Sequence, residues 1–378
     1  MITADIEGNF STTINVPKTA AVGVHPVVVQ VAKPSAASVF EFKVSPDIKF
    51  SGADKFDILT KYLEPGLYQS AYSTASKALF VTSAVGHPPI KQSALIKVNP
   101  DSLKIETKVT PNTLNKPDQV MAVYGIAIDD DAGTVWVTNT HASTVAVYKQ
   151  SDLSLVKQFP NGIAAHARDV AVDSAKLRAY ISASGSNEII VIDTQTLEPI
   201  KSNAIRSSKS PNQAIRPMSL TLDAKSNRLY TISRTTNEAI IIDLVTHKVE
   251  LIYPLEGAKA PSGVAVASDV NILFVASQGS DTLQLVDLNE GKILHTVRIG
   301  ANPLNVVWDS KNKLAYAVNR ASDSIVAIKL DGKLVANLKS GSYPNHLSTD
   351  GKGTVYVINK SRGKDDPTGD RVSRISLK

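Results

Sequence analysis

One short pattern occurs seven times along this 378-residue chain: a polar turn, then a strand-like pentapeptide with an aromatic second residue and a small or polar end. The copies are LFVTS from Leu79, VWVTN from Val135, AYISA from Ala179, LYTIS from Leu229, LFVAS from Leu273, AYAVN from Ala315 and VYVIN from Val355. The intervals between their aromatics run from 56 residues (Phe80 to Trp136) to 40 (Tyr316 to Tyr356), with Tyr180, Tyr230 and Phe274 between. A fixed period of about 40–45 residues is that of a four-stranded propeller blade, and the longer intervals read as loop insertions. Such a unit cannot cover its own apolar faces, so the repeat itself demands that neighbouring units stack.

The rest of each unit agrees. A short apolar strand and polar turn precede each copy, as in YGIAIDDDAG and LTLDAKSNR, and most are followed by an apolar run that ends in a turn, as in EIIVIDTQTLE, AIIIDLVTHK and LQLVDLNEGK. Runs such as EIIVID are apolar on both faces, as suits a strand covered on both sides, and no helical period competes. The expected fold is all-β, a seven-bladed β-propeller over residues 51–378. The last unit stops after RVSRISLK, its third strand, so KFDILTKYLEPG at Lys55–Gly66 is expected to supply the fourth and close the ring. Closure removes exposed sheet edges. Residues 1–50 fall outside the repeat; strands packed on the propeller and a mobile extension are the two alternatives.

Composition narrows the function classes. With 43% hydrophobic and 20% charged residues the chain can bury a large core. It has no cysteine, which excludes disulfides, thiolate chemistry and cysteine-ligated metals. The apolar stretch AVGVHPVVVQVA is broken by His25 and Pro26 and is shorter than the roughly 20 residues of a membrane span. No secretory signal is visible, and one is expected to have been removed. The motifs G-x-S-x-G, H-E-x-x-H, G-x-x-x-x-G-K-S/T and G-x-G-x-x-G after a strand do not occur, so no catalytic residue or cofactor is assigned. An active site assembled from separate blades would leave no linear motif.

In a propeller, the loops between second and third strands and the connectors between blades gather around one mouth of the central channel. Those loops carry Arg168, Arg216, Arg234, Arg320, Lys360 and Arg362, with Arg206 and Lys209 in the long connector IRSSKSPNQAIRP. No arginine precedes Arg168, so a lopsided basic rim is expected on a chain of net charge +6. Guanidinium forks bind phosphate or carboxylate, and Tyr68, Tyr124 and Tyr343 nearby offer stacking surfaces, the combination used for single-stranded nucleic acid. The plainer alternative is a solvated, ion-paired rim. His87, His141, His166 and His346 map to the same face without a spacing that fixes ligand geometry, so no metal is assigned. The acidic runs at Asp129 and Lys364 read as turns rather than calcium loops. Asn139 and its equivalents read as rim residues that end strands by bonding nearby backbone.

The strand ending of an aromatic residue, Val, then Thr, Ile or Ala, then Asn or Ser resembles the YVTN-type seven-bladed propellers. The arrangement is similar to the YncE-like proteins of the bacterial periplasm over about residues 55–378, notably in VWVTNT, YPNHLSTDGKGTVYV and NKSRGKDDPTGDRVSRISL. The N-terminal extension departs from that pattern. The resemblance implies an exported, periplasmic protein with a non-enzymatic binding role, and some such proteins are associated with DNA binding. The expectation is therefore a binding protein that holds an anionic ligand or single-stranded nucleic acid at Arg168, Arg216, Arg234, Arg320, Arg362, Lys360, Tyr68 and Tyr343. The alternatives are a metal-dependent lactonase-like hydrolase, suggested by the four histidines, and an envelope scaffold that docks a protein partner through residues 1–50.

Overall fold

Side chains alternate along a β-strand, so a strand apolar on both faces must be covered twice. The computed structural model meets that demand with seven four-stranded antiparallel sheets, and it describes residues 2–31, 35–112, 119–200, 204–209 and 212–378. Ser210 and Pro211 of the long connector lie outside the described residues. The innermost strands of blades 1 to 7 are Leu67–Ser73, Ile126–Asp129, Ala167–Asp173, Pro217–Asp223, Pro261–Ala267, Pro303–Asp309 and Pro344–Thr349, and they form a ring around the channel.

The repeated aromatics explain their own recurrence. Each fills the seam between its blade and the next: Phe80 packs with Val123 and Val135 of blade 2, Trp136 with Ala167 and Ile181 of blade 3, and Tyr316 with Leu347 and Val355 of blade 7. Tyr180, Tyr230, Phe274 and Tyr356 do the same on the other seams. All seven are no more than 3% exposed. Their strand neighbours point the other way; Leu79 and Val81 join Tyr356 in the seam between blades 7 and 1. Truncating such an aromatic to alanine costs about 3–5 kcal/mol.

The last blade takes its outer strand from the start of the propeller. Phe56–Tyr62 pairs antiparallel with Arg371–Leu377, with Phe56 opposite Leu377 and Tyr62 opposite Arg371. Upstream, Ser51 bridges Asn337 on the edge of blade 6, and the Asn337 side-chain amide donates to the Ile48 carbonyl at 2.8 Å.

A polar belt runs inside the seams. In six of the seven inner strands the pairing register slips near the channel mouth, which turns one side chain toward the next blade. The Gln69 side chain accepts from Ile126 N–H at 3.1 Å, Asp169 from Leu220 at 3.0 Å, Asn305 from Leu347 at 2.9 Å and His346 from Ser70 at 3.3 Å. On the remaining seams the hydroxyls of Thr140, Ser219 and Ser262 donate to the carbonyls of Ala167, Ser262 and Leu304. At two belt positions the backbones approach too closely for any side chain. A Cβ on Gly125 would lie 2.8 Å from the Arg168 carbonyl oxygen, and one on Gly263 would lie 2.7 Å from Asn305 Cα.

Residues 1–46 form a separate unit. Within it Gly23–Val31 and Ala36–Val44 make a two-stranded antiparallel hairpin, with Phe40 57% and Phe42 43% exposed. Burial alternates along Gly23–Val31, while Ala36–Val44 is exposed along most of its length. Among the described residues no helix is long and apolar enough to cross a membrane.

Gly263→Ala should destabilise the propeller by about 2–3 kcal/mol, because the obstructing atoms are backbone and cannot rotate away. Chemical denaturation measures this; a loss below about 0.5 kcal/mol would show that the seams are not rigid there.

Candidate functional site: the basic channel mouth

The inner strands and the loops after each second strand bring the predicted residues to one face. Tyr68 of blade 1, Tyr124 and His141 of blade 2, His166 and Arg168 of blade 3, and Arg216, Met218 and Arg234 of blade 4 line a cavity of about 420 Å³. Lys360 of blade 7 sits with its Nζ 4.6 Å from the Tyr68 ring centroid, and the Arg168 guanidinium lies 5.6 Å from the same ring. Tyr124 meets Tyr68 edge to face at 4.8 Å and His141 at 5.5 Å. A second cluster surrounds Tyr343, with Arg320 at 5.0 Å and Arg362 at 4.8 Å from its ring.

Most of the cations at this mouth have no carboxylate partner. Arg178, Arg228 and Arg374 hold the carboxylates of Asp193, Glu250 and Asp101. Arg168, Arg216, Arg234, Arg320 and Lys360 form no ion pair among the described residues, and Arg168 Nη1 is buried without a hydrogen-bond acceptor. Arg362 is the exception, because its Nη2 donates to both carboxylate oxygens of Asp323, at 2.8 and 2.7 Å. The concentration of positive charge is felt by its neighbours. The Arg168 charge, helped by Lys360 and Arg320, pulls the Tyr68 phenol below its ordinary pKa despite burial. Burial, with Arg320 and Arg168, holds the Lys360 amine below its own, against the charges of Tyr68 and Asp370. Asp169 beside Arg168 is raised by burial, only partly offset by that arginine.

Backbone strain places the rings. The residue before the inner strand is left-handed on five seams, and there Gly66, Ala260 and Asn302 are joined by His166 at φ 51° and Tyr343 at φ 46°. Asp323 accepts from the Tyr343 N–H at 3.1 Å and holds that conformation. A left-handed residue other than glycine costs about 1–2 kcal/mol, so two large rings are held at the mouth against local preference.

Other sequence candidates have structural work. His346 is a belt acceptor rather than a rim residue, and burial and the Arg168 charge push its pKa down to about 3. Among the described residues no group of three or more His, Asp or Glu side chains could hold a metal ion. Asn139, Asn319 and Asn359 are buried, not on the rim, and their amides donate to the carbonyls of Ala122, Ile299 and Ser342, tying connectors to blades. Asp130 accepts from Ser73, Thr74 and Ala75 across a seam, and Asp366 from Arg362 and Thr368 within its loop, so both acidic runs close turns. Arg206 leaves the mouth and lines a separate pocket with Tyr180 and His247, while Lys209 bonds the Thr236 carbonyl. Residues that the sequence reading passed over, Met218, Ser184 and Gly185, complete the cavity wall and carry no linear signal.

The molecule is a seven-bladed β-propeller with a basic channel mouth. Its sequence is similar to the uncharacterized protein YncE of Salmonella typhi, 27% identical over 348 residues that cover 87% of this chain and 93% of that one. Among solved structures it superposes on a chain of Kuenenia stuttgartiensis hydrazine synthase (TM-score 0.65, 17% identity, 78% of this chain and 93% of that one). A streptogramin B lyase gives TM-score 0.65 at 14% identity, covering 87% of this chain and 100% of that one. These two likenesses are of fold alone. No protein-family model matches the chain.

Two consequences can be measured. A neutral, half-buried His346 stabilises the fold above the imidazole's unfolded pKa of 6.5, and that contribution is lost as pH falls toward about 3. His346→Gln keeps a belt acceptor, as Gln69 does, without the titration. The variant should match the parent at pH 7 and exceed it by about 1–2 kcal/mol at pH 5 in denaturant melts; parallel pH profiles would refute the assignment. Tyr343→Gly should change unfolding free energy by no more than about 1 kcal/mol, relief of strain offsetting the lost cation–π contacts. A larger loss would make the ring a structural element rather than a displayed one.

Proposed function

We propose that the chain is an exported binding protein whose channel mouth captures an anionic partner, single-stranded nucleic acid being the class that best fits the chemistry. The observation that carries this reading is a set of guanidinium groups without carboxylate partners among the described residues: Arg168, Arg216 and Arg234 around the cavity lined by Tyr68 and Tyr124, and Arg320 over the Tyr343 ring. Guanidinium forks without counter-ions are suited to phosphate oxygens, and tyrosine faces accept bases of any sequence. A duplex presents its bases stacked inward, so the rings favour a single strand.

The test is fluorescence anisotropy of a labelled single-stranded oligonucleotide over a range of salt concentrations, with a duplex of equal length beside it. The expected result is preference for the single strand and a log–log salt slope of about −0.7 for each phosphate engaged. Arg216 and Arg234 are exposed, so the double substitution to alanine should leave the fold intact, weaken binding by about tenfold or more and flatten the slope. Affinity indifferent to both salt and this substitution would overturn the reading.

A further inference from the structure

Lys360 carries its charge at the mouth without a protein partner. Lys209 of the connector between blades 3 and 4 donates to the Thr236 carbonyl, whereas the Lys360 Nζ has neither an ion pair nor a hydrogen-bond acceptor among the described residues. Its amine rests on the face of Tyr68, with Arg168 on the same ring and the Arg320 charge within reach of both Tyr68 and Lys360. Two cations, from blades 3 and 7, thus share one tyrosine ring at the edge of the 420 Å³ cavity, while Arg320 of blade 6 lies over the ring of Tyr343. The charged groups facing the amine are Arg168, Arg320, Tyr68 and Asp370.

We propose that the Lys360 amine forms an imine with a small aldehyde or ketone that also carries a phosphate or carboxylate, the anionic group seating on Arg168 and Arg320. This rests on the reading that the mouth takes anions, and it adds a covalent step to it. An amine without an acceptor for its ammonium hydrogens, crowded by guanidinium charges, gives up its proton readily and becomes a nucleophile. Burial and the two arginines lower the Lys360 pKa in agreement with that geometry. The ammonium loses a proton to solvent, and the nitrogen lone pair then attacks the carbonyl carbon. The carbon–nitrogen bond forms to give a carbinolamine, both N–H protons pass through solvent to the oxygen, and that oxygen leaves as water as the C=N double bond forms. No oxidant or metal enters the balance. The unpaired guanidiniums hold the anion so that the carbonyl end reaches Nζ, which converts a bimolecular encounter into a positioned one.

The experiment uses pyridoxal 5′-phosphate as the probe and pyridoxal, which lacks the phosphate, as the control. The full chain is treated with each at low molar ratio, the imine is reduced with borohydride, and adducts are located by peptide mass spectrometry. The expected result is an adduct at Lys360 ahead of the exposed Lys91, Lys225 and Lys352. Pyridoxal should label Lys360 at least about tenfold more slowly, the factor that one charge-assisted hydrogen bond carries. Lys360→Arg should remove the adduct, and Arg168→Ala and Arg320→Ala should slow it. The wild-type peptide map locates the adduct even if a variant fails to fold. Labelling confined to exposed lysines would overturn the proposal, as would equal rates with the two probes. Oligonucleotide binding without Lys360 labelling would leave the anion-capture reading standing and this one refuted. Selective, phosphate-dependent labelling without oligonucleotide binding would do the reverse.

Discussion

The structure depends on the seam between blades. Each seam combines one repeated aromatic, an apolar cluster drawn from two sheets, and one belt hydrogen bond near the channel. The apolar cluster, with the aromatic as its largest member, supplies most of the free energy, since burial scales with the area removed from water. The belt bond supplies little net energy, about 1 kcal/mol each, but it sets how far one blade can slide on the next. Register within a blade is fixed by alternation, because a slip of one residue would turn Phe80 and its equivalents from one seam to the other.

Because the belt consumes polar groups in a regular way, it separates structural from unassigned polar residues. His346, Asp169, Gln69 and Asn305 occupy matching places in the ring and accept from the next blade's backbone, so their presence at the channel needs no ligand. Arg168 has no such partner. It stands one residue before Asp169, at the slip in register that turns Asp169 toward blade 4. The same local distortion therefore produces a seam contact and projects a cation, and the mouth collects several such leftovers.

The fold was legible because it is written in local, repeated terms: one aromatic per unit, turns at fixed offsets, and strands apolar on both faces. The placement of Arg168, Arg216 and Arg234 on a shared face followed from knowing which loops meet. What could not be read was pairing across the ring. His346 bonds Ser70 across 276 residues of sequence, and Arg362 is neutralised by Asp323 across 39. The left-handed backbone of Tyr343 was equally hidden, since tyrosine gives no hint of it; three other seams reach the conformation with Gly66, Ala260 or Asn302, and one with His166. Arg206 was drawn away by a connector whose course no local pattern specifies.

A closed ring also explains how like charges are kept together. The cations over Tyr68 and Tyr343 include Arg168, Arg320 and Lys360 of blades 3, 6 and 7, and the strand ends behind two of them, Asn319 and Asn359, are anchored by buried amides to neighbouring connectors. Repulsion that a flexible loop would relieve by splaying is here resisted by every seam at once, and an arriving anion meets donors already in place. The contact of Lys360 with Tyr68 crosses the seam between the last blade and the first, beside the sheet that Phe56–Tyr62 completes. If that strand were lost, blade 7 would expose the edge of Arg371–Leu377, its hold on the start of the propeller would weaken, and Lys360 would no longer be fixed over Tyr68. The strand borrowed from the beginning of the ring is in this sense as much a determinant of the charged mouth as the arginines themselves.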